Sequence, residues 1–492
     1  MKHPLVSIII PAYNAAQFIG QTLESILADT YTSIEIIVVN DGSKDDTQKI
    51  VASYAAKDSR ITIINQNNGG VCRARNHGIE KSKGKYILPV DADDILLPGF
   101  ITWAVQAMEA NDQIKVAIPK AEFFGARSGP WKLKVFSQNL LARKNMIPAT
   151  SLYRKNDWER CGGYYEELQA REDWEFWISI LKDGGEVVTS PELGLKYRIH
   201  QSSKRTADRK LKKQVINALN ERHPEFFQRE LGGPLRYQRT YSKLLNLLHR
   251  IVNPCRLTTQ QGYENYNDFF MALPTIFSTK RGTIIYNRRN QLRRISYGKH
   301  QFVIKSYHKP NPINRIVYGI LRPTKAKRSF DYALLLQKKG IRSPQPIAYY
   351  TERFLGLFLG KSYYVSLLSE LPYTYNDILA GHFDLENEKA ILKAIALVTA
   401  RLHDAGMIHR DYSRGNILFG KNKLGKWDVE LIDLNRIRFH KVSMEEGCSN
   451  FAERLPATDM QRKLMAETYA KARGFNIEKC YQLMCKYNKE KN

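Results

Sequence analysis

Short apolar runs that each stop at a polar cluster dominate the first hundred residues. There are four of them: Leu5–Ile10, Ile34–Val39, Ile61–Ile64 and Tyr86–Val90. Stretches with helical periodicity separate them: Phe18–Leu27, Asp46–Tyr54 and Val71–Glu80. Strands that alternate with helices are typical of an α/β domain with a largely parallel sheet. The polar clusters then lie at the carboxyl ends of the strands, where open α/β sheets bind ligands.

The second half of the chain has a different pattern. Lys/Arg-rich helical sequence fills residues 202–275, and three β-rich runs follow: Thr283–Asn287, Gln291–Tyr297 and Gln301–Tyr307. From Arg328 onward the pattern is helical. Strands first and helices later predict a two-lobed α+β domain. Within the basic segment, the apolar stretch Leu244–Val252 is compatible with a membrane interface and also with packing between domains.

The net charge of the chain indicates what kinds of partner it can bind. The chain has 492 residues, 76 Lys and Arg against 49 Asp and Glu, and a net charge of +27. This excess suggests a polyanion: nucleic acid, an anionic membrane or a phosphorylated glycolipid. No nucleic-acid-binding motif is present, so we expect no nucleic-acid partner. No window reaches the roughly 20 apolar residues that span a bilayer, and we expect a cytoplasmic protein, peripheral on the inner face of the membrane.

The clusters after the four strands contain candidate ligands for a nucleotide sugar. Asp41 can accept hydrogen bonds from a base or ribose, and Gly42 permits close approach of the backbone. The loop Asn68-Gly69-Gly70 leads into a helix with two arginines and an asparagine in its first turns, which suits a diphosphate. The candidates for nucleotide-sugar binding are Pro11, Tyr13, Asn14, Asp41, Gly42, Arg73, Arg75, Asn76 and Asp91.

Carboxylates suggest a metal site and a base in the same domain. Asp91 and Asp93 lie on one side of an extended segment, where they can hold one divalent cation. Glu172 and Asp173 begin an aromatic-rich helical stretch, and one of them is a candidate base for an incoming hydroxyl; a helix N-terminus also favours acidic residues. His200 is compatible with metal or phosphate binding and with a purely structural role.

These motifs resemble the family 2 glycosyltransferases, which have the GT-A fold. The matching segments are PLVSIIIPAYNAAQFI, EIIVVNDGSKDDT, NNGGVCRARNHGI, GKYILPVDADD and the ED of REDWEFW, within residues 4–205. The resemblance implies an inverting transferase that uses a nucleotide-diphospho-sugar with Mn²⁺ or Mg²⁺. Asp41 would contact the nucleobase, Asp91 and Asp93 would form the DXD element, and Asp173 would be the base beside Glu172. His200 is our further candidate metal ligand.

The second domain contains the pattern of a kinase catalytic loop. Ile408-His409-Arg410-Asp411 is followed by Asn416, and Asp433 ends a later apolar run. In this pattern Asp411 orients the acceptor hydroxyl and takes its proton, while Asn416 and Asp433 hold Mg²⁺ on the phosphates of ATP. Lys305, at the end of a β run, is placed to pair with the α and β phosphates.

Two features differ from protein kinases. No GxGxxG loop precedes Lys305, with Gly298 a weak substitute, and no APE segment follows Asp433. The domain instead resembles the lipopolysaccharide kinases that phosphorylate Kdo or heptose, through VIKSY, AKRSFDYALLLQKKGIRSPQPIAYY, LHDAGMIHRDYSRGNILF and LIDLNRIRF. This resemblance implies a sugar acceptor. Asp331 lies where an acidic partner for Lys305 is expected, and a surface position without this role is the alternative.

The sequence therefore predicts four segments: a glycosyltransferase domain (1–205), a basic helical connector (206–275), a lipopolysaccharide-kinase-like domain (276–445) and a helical tail (446–492). We expect a bifunctional enzyme of the bacterial cell envelope. It would transfer a sugar from a nucleotide-diphospho-sugar to a glycolipid or oligosaccharide and phosphorylate a core-sugar hydroxyl with Mg²⁺ and ATP. In the alternative, the second domain is a non-catalytic module that binds the glycolipid.

Overall fold

The computed structural model of the protein describes residues 3–200 and 207–487. It divides into two compact units, Met1–Leu247 and Leu248–Asn492. The predicted boundary between residues 205 and 206 and the last residues of the predicted tail lie outside the described residues. The segment predicted as a connector supplies elements to both units.

A mixed sheet is the centre of the first unit. Its strands, among the described residues, are β1 Val6–Ala12, β2 Ile34–Asp41, β3 Ile61–Gln66, β4 Tyr86–Pro89, β5 Ile95–Leu96, β6 Ile114–Gly125, β7 Gly129–Trp131, β8 Leu152–Arg154 and β9 Glu186–Ile199. They are ordered β3-β2-β1-β4-β8-β6-β9-β5, with β7 paired to β6. The pairs from β3 to β4 are parallel, and β8 is antiparallel to β4. The Rossmann-like mixed sheet of a GT-A domain is confirmed.

Helices cover both faces of this sheet. They are α1 Ile19–Leu27, α2 Thr47–Ala55, α3 Val71–Lys81, α4 Phe100–Ala110, α5 Gln138–Leu141, α6 Lys155–Cys161, α7 Glu172–Leu181, α8 Ala207–Arg222 and α9 Pro224–Leu231. A further helix, α10 Ser242–Val252, begins in the first unit and ends in the second. Ile8 and Ile10 belong to one buried cluster and Ile9 to another. Because successive strand residues point to opposite faces, this alternation gives the sheet a core on each side.

Two helices of the predicted connector complete one of these cores. Val215 and Leu219 of α8 and Phe226 and Phe227 of α9 are buried with the side chains of α7. Glu175 of α7 is fully buried and accepts hydrogen bonds from Arg222 (2.6 Å) and His223 (2.8 Å). Burial opposes the charge of Glu175, but these two partners lower its pKa to about 2. Helix α8 is therefore tied to the first unit by both apolar and ionic contacts.

An antiparallel sheet forms the first lobe of the second unit. Its strands are β10 Cys255–Thr259, β11 Thr283–Asn287, β12 Gln291–Tyr297, β13 His300–Ser306, β14 Pro346–Phe354 and β15 Phe358–Leu367. They are ordered β10-β14-β15-β13-β12-β11. The helical segments of this lobe are α11 Asn267–Met271, α12 Leu273–Ile276, α13 Pro312–Ile316, a π-helical turn Val317–Leu321, and α14 Lys325–Lys338. Strand β10 and helix α11 come from the predicted connector.

Helices dominate the second lobe. It contains α15 Tyr375–Leu379, α16 Leu385–Asp404, α17 Met444–Ala452, α18 Asp459–Arg473 and α19 Ile477–Tyr487, with β16 Tyr373–Thr374, β17 Met407–His409, β18 Ile417–Lys421, β19 Trp427–Leu431 and β20 Ile437–Phe439. Met465 and Tyr469 of α18 are buried in its core. The predicted two-lobed α+β class is confirmed. No helix in residues 3–200 or 207–487 is both long and apolar enough to cross a membrane.

Candidate active sites

The carboxyl ends of β1, β2 and β4 form the edge on which the first site is built. Asp41, the last residue of β2, accepts hydrogen bonds from Gln66 (2.7 Å) and from the backbone N–H groups of Gly69 (2.8 Å) and Gly70 (2.9 Å). A Cβ on Gly42 would lie 2.9 Å from the backbone nitrogen of Asn68. The glycine is therefore required, and Asp41 holds the glycine loop against β2.

Arg75 connects the two acidic motifs of the first unit. It lies on α3 with its side chain buried, and its guanidinium pairs with Asp91 at 2.8 Å and with Glu172 at 3.1 Å. The ring of Tyr164 lies 5.4 Å from the guanidinium. The sequence suggests Arg75 as a diphosphate ligand, but the structure gives it a different partner set. Its charge brings together carboxylates that are 81 positions apart in the chain (172 − 91 = 81).

The other predicted nucleotide-sugar ligands differ in burial and in the hydrogen bonds that they already make. Asn76 is buried: its amide nitrogen donates to Tyr164 O and Glu166, and its oxygen accepts from Trp158 and Tyr164 N. All of its hydrogen-bonding capacity is used inside the protein, so the prediction for Asn76 is corrected to a structural role. The remaining candidates lie at the carboxyl edge of the sheet. Pro11 lies near the end of β1, and Tyr13 and Arg73 are exposed. The side-chain oxygen of Asn14 accepts a hydrogen bond from Lys44 N at 2.8 Å.

The predicted metal ligands Asp93 and His200 lie together. His200 Nε2 is 2.6 Å from a carboxylate oxygen of Asp93, and Asp91 faces Arg75. Asp94, beside them, is buried, and one of its oxygens has no hydrogen-bond partner. Burial, the charge of Asp91 and that of Asp93 raise the pKa of Asp94.

Carboxylate oxygens are donors that suit Mn²⁺ or Mg²⁺, and Asp91 and Asp93 supply them. The donor chemistry therefore fits the predicted cation. Across the described ranges, however, no three His, Cys, Asp or Glu side chains are already gathered as a metal site. Asp91 would have to turn from Arg75 to join Asp93 and His200.

Asp173 lies beside a cavity of about 250 Å³ in the first unit. One of its oxygens accepts from the side chain of Asn145 at 2.6 Å. Burial, followed by the charge of Glu172, raises the pKa of Asp173 to about 7, against the opposing effect of Arg75. A carboxylate with this pKa is suited to act as a general base near neutral pH. Asp91 and Glu172 line the same cavity.

Residues that the sequence analysis did not single out complete this cavity. Its wall includes Trp131, whose ring lies 5.1 Å from that of Tyr197. Lys132, Lys134 and Lys144 also line it. Trp131 lies on β7, Lys132 and Lys134 follow β7, and Lys144 follows α5. All four lie outside the sequence motifs, and only the tertiary structure brings them to Asp173.

The second site is a cavity of about 690 Å³ in the second unit. Lys305, on β13, pairs with Asp433 at 2.7 Å. Asp433 has a left-handed backbone (φ 60°) and accepts a hydrogen bond from Asn435. The three predicted ATP ligands, Lys305, Asn416 and Asp433, therefore line the same cavity, together with Asp411.

Hydrogen bonds hold the predicted catalytic loop. His409 is buried, with Nε2 2.9 Å from Ile432 O, and Nδ1 accepts from Asp411 N at 3.2 Å. Burial lowers the pKa of His409, which favours a neutral ring with the proton on Nε2. Asn416 donates to Asp411 O at 2.8 Å. Hydrogen bonds from the N–H and to the carbonyl oxygen of Asp411 therefore fix its backbone.

The Asp411 carboxylate contacts two arginines that the sequence analysis did not identify. Arg454 lies 2.6 Å from one oxygen and Arg436 lies 3.8 Å from the other. Arg436 lies three residues after Asp433 in the LIDLNR motif and so had a signal in the sequence. Arg454 lies in the segment after α17, and no motif in the sequence indicates it.

Two expectations for the phosphate-binding part are corrected. Asp331 pairs with Lys327 at 2.6 Å, whereas Lys305 pairs with Asp433. Gly298 lies in the β12–β13 turn, and a Cβ there would meet the ring of Tyr266 at 3.1 Å. The turn that reaches the cavity joins β11 and β12 and contributes Arg289 and Asn290. The position of this turn, between the two strands that precede the strand with Lys305, is the feature of the sequence that could have identified it.

Comparisons with known proteins match both units. Residues 7–163 match the model of glycosyl transferase family 2, and residues 286–447 match that of the lipopolysaccharide kinase (Kdo/WaaP) family. An uncharacterised glycosyltransferase of Haemophilus influenzae is 33% identical over 214 residues, 40% of this chain and 66% of that protein. Uncharacterised glycosyltransferase EpsJ of Bacillus subtilis is 44% identical over 108 residues, 22% of this chain and 31% of that protein. Glycosyltransferase GlyG of Streptococcus pneumoniae is 32% identical over 156 residues, 32% of this chain and 52% of that protein. The chain thus spans less than two thirds of each of these relatives.

Two solved structures resemble the chain at low identity. The complex of S. aureus TarS with UDP has a TM-score of 0.38 at 16% identity, covering 60% of this chain and 98% of that one. The mannosyltransferase PcManGT from Pyrobaculum calidifontis, in complex with GDP-Man and Mn²⁺, has a TM-score of 0.40 at 17% identity, covering 56% of this chain and 74% of that one.

Proposed function

The chain joins a family 2 glycosyltransferase domain to a domain of the lipopolysaccharide kinase (Kdo/WaaP) family, and from this premise we propose a bifunctional enzyme of cell-envelope glycolipid synthesis. The first unit would transfer a sugar from a nucleotide-diphospho-sugar to a glycolipid or oligosaccharide with inversion. The second would phosphorylate a core-sugar hydroxyl with ATP. We also propose that the protein is cytoplasmic and makes peripheral contact with the inner face of the membrane.

The observation that supports the transferase most directly is the position of Asp173. Its carboxylate, with a pKa of about 7, shares a cavity with Asp91 of the DXD element. In the proposed reaction Asp173 takes the proton of the acceptor hydroxyl while that oxygen bonds to the anomeric carbon. The bond from this carbon to the diphosphate breaks, and the nucleoside diphosphate leaves. A cation held by Asp91, Asp93 and His200 would neutralise the diphosphate charge.

The walls of the same cavity support a phosphorylated or otherwise anionic acceptor. Lys132, Lys134 and Lys144 bring three positive charges to it, and Trp131 offers an aromatic face for a sugar ring. A lysine ammonium binds phosphate as a point charge. We therefore propose that the accepting sugar carries, or lies next to, an anionic group.

The kinase proposal is carried by the convergence of Lys305, Asp411, Asn416 and Asp433 on one cavity. Asp411 would take the proton of the sugar hydroxyl as its oxygen attacks the γ-phosphorus of ATP, and ADP would leave. Asn416 and Asp433 offer the oxygen donors that Mg²⁺ prefers, which would neutralise the phosphates. Lys305 would release Asp433 to pair with them.

Phosphate transfer separates this proposal from the alternative of a non-catalytic module that binds glycolipid. We expect ADP release by the full-length protein with a Kdo- or heptose-containing glycolipid, and its loss in Asp411→Asn. The Asp173→Asn protein is the matched control, because it should retain ADP release while losing sugar transfer. Binding of the glycolipid without ADP release in the wild-type protein would favour the binding module.

Glycolipid profiles test the two activities together. Mass spectrometry of a strain that carries only the Asp173→Asn protein should show loss of one sugar unit. The Asp411→Asn strain should show loss of one phosphate. An unchanged profile in both strains would contradict the proposed place of the enzyme in the envelope.

A further inference from the structure

Helix α10 exposes its leucines, Ile251 and Val252, and its two buried side chains are polar. Ser242 and Asn246 are buried, and Asn246 donates to Leu231 O (3.2 Å) and Pro234 O (3.0 Å). Leu248 is 50% exposed and Ile251 is 66% exposed. Helices at the surface of globular proteins normally turn their apolar side inward. The opposite arrangement leaves an apolar face that needs a partner.

Two other exposed apolar segments of the second unit adjoin the end of α10. Leu355, in the β14–β15 turn, donates its N–H to Val252 O at 2.7 Å. Arg353 donates to Gly319 O at 2.8 Å, which ties the β14–β15 hairpin to the π-helical turn. We name residues 248–252, 313–321 and 354–357 together the apolar patch. Since these two hydrogen bonds fix the three segments side by side, their exposed side chains form one surface.

The side chains of the apolar patch project strongly into solvent. Ile313 is 74% exposed and Leu321 is 75% exposed, and Phe354 and Leu357 are also exposed. Soluble monomeric proteins rarely leave such a contiguous apolar area uncovered unless it binds something.

Leu355 adds an independent observation. Its backbone is left-handed (φ 52°) and it precedes Gly356, also left-handed (φ 72°). Turns of this kind favour glycine or asparagine, because a Cβ is strained at positive φ. The chain nevertheless places a leucine there and leaves its side chain 57% exposed. An apolar side chain held at a strained, projecting position is typical of a functional contact.

The charges around the apolar patch are mostly positive, with Glu352 next to Arg353 as the exception. Residues 248–256, 313–322 and 353–359 include five arginines and neither Asp nor Glu. The arginines are Arg250, Arg256, Arg315, Arg322 and Arg353. A second copy of the chain would bring another set of the same charges against them, which is unfavourable. An anionic lipid surface offers both an apolar interior and negative headgroups.

We propose that the apolar patch is the docking surface for an anionic lipid bilayer. The leucines and isoleucines enter the interface between headgroups and acyl chains, and the surrounding arginines meet the lipid phosphates. This inference names the surface for the membrane contact of the proposed function. Vesicle binding tests it without turnover at either catalytic site, so its failure is distinguishable from failure of the enzymatic proposal.

Cosedimentation of the full-length protein with vesicles is the test. The wild-type protein should bind vesicles of phosphatidylcholine mixed with phosphatidylglycerol more tightly than vesicles of phosphatidylcholine alone. The double variant Leu321→Asp with Leu355→Asp should bind the mixed vesicles about tenfold more weakly or worse, because two charges replace inserted apolar groups. Leu424→Asp is the matched control: Leu424 is 83% exposed in the β18–β19 turn of the same unit. It should bind as the wild type does.

The charge requirement is tested separately with Arg250→Gln and Arg322→Gln. This pair should reduce the preference for phosphatidylglycerol while binding to neutral vesicles stays unchanged. Equal vesicle binding by the wild-type protein and the Leu321/Leu355 variant would overturn the proposal. So would a lipid-free wild-type dimer, seen by analytical ultracentrifugation, that this variant converts to a monomer, because the surface would then join two copies. An unchanged thermal unfolding midpoint in the variant excludes misfolding as the cause of lost binding.

Discussion

At the scale of single residues, Arg75 explains why two separate acidic motifs act at one place. Its buried guanidinium reaches Asp91 and Glu172, and Asp173 is the next residue along the chain. The position of the proposed base relative to the DXD element therefore depends on one ion-pair network. The pKa of Asp173 follows from the same network, because Glu172 raises it and Arg75 lowers it.

We expect the rate of sugar transfer to fall as the pH drops through about 7. Only the ionised Asp173 can accept a proton, and its pKa is about 7. Glu172→Gln should move the midpoint to lower pH, because it removes a negative charge that disfavours ionisation. Initial rates of nucleoside diphosphate release across pH measure both effects. An Asp173→Asn protein that keeps the wild-type rate and profile would contradict this assignment.

In the second unit, where no GxGxxG loop precedes Lys305, Arg289 of the β11–β12 turn reaches the candidate ATP cavity. Its side chain lines the cavity that contains Lys305 and Asp433. We expect Arg289→Ala to raise KM for ATP about tenfold with a small change in kcat, since one charge-assisted phosphate contact is lost. Arg294→Ala, an exposed arginine on neighbouring β12, is the control and should leave KM unchanged. Equal KM values for both variants would exclude Arg289 from ATP binding.

At the scale of elements, the packing of α8 against α7 depends on a buried ionic cluster. Glu175 is fully buried between Arg222 and His223. We expect Glu175→Gln to lower the free energy of unfolding of the first unit by about 3–5 kcal/mol, as for other broken buried pairs. Urea denaturation at neutral pH measures the loss. Glu159→Gln, at an exposed position of α6, is the control.

The same cluster should make the first unit sensitive to acid. The folded pKa of Glu175 is about 2, below its ordinary value of 4.5. A depressed pKa stabilises the folded state fully above the unfolded pKa, and this stabilisation is lost as pH falls from 4.5 towards 2. The difference in unfolding free energy between wild type and Glu175→Gln should therefore shrink across that window. A difference that stays constant would contradict the role of the carboxylate charge.

At the scale of the whole molecule, the two units have separate cores and separate candidate sites. We expect two calorimetric transitions in the full-length protein. A nucleotide sugar with Mn²⁺ should raise one midpoint and ATP with Mg²⁺ the other, each by about 5 °C at saturating ligand. Asp173→Asn should leave the ATP-dependent shift unchanged. A single transition raised by both ligands would contradict two independent units.

Strands β1, β2 and β4 were predictable from the sequence because they are largely buried. The observed β1, β2, β3 and β4 begin and end within two residues of the predicted runs. Buried strands need continuous apolar residues, and the chain must turn where these stop. The helices of the predicted connector were harder to place. Their basic residues suggest a solvated linker, whereas Phe226 and Phe227 pack into the first core.

The sequence alone determined the two fold classes and supplied most of the candidate site residues, because motifs around Asp91, Asp173, Asp411 and Asp433 carry local signals. Which groups face one another was decided only by the tertiary structure. Arg75 pairs with Asp91 and Glu172, Arg289 lies at the wall of the cavity that contains Lys305, and Leu355 N–H donates to Val252 O at the end of α10. Each of these contacts joins residues far apart in the chain, and such pairings depend on how the elements pack, which local periodicity does not record.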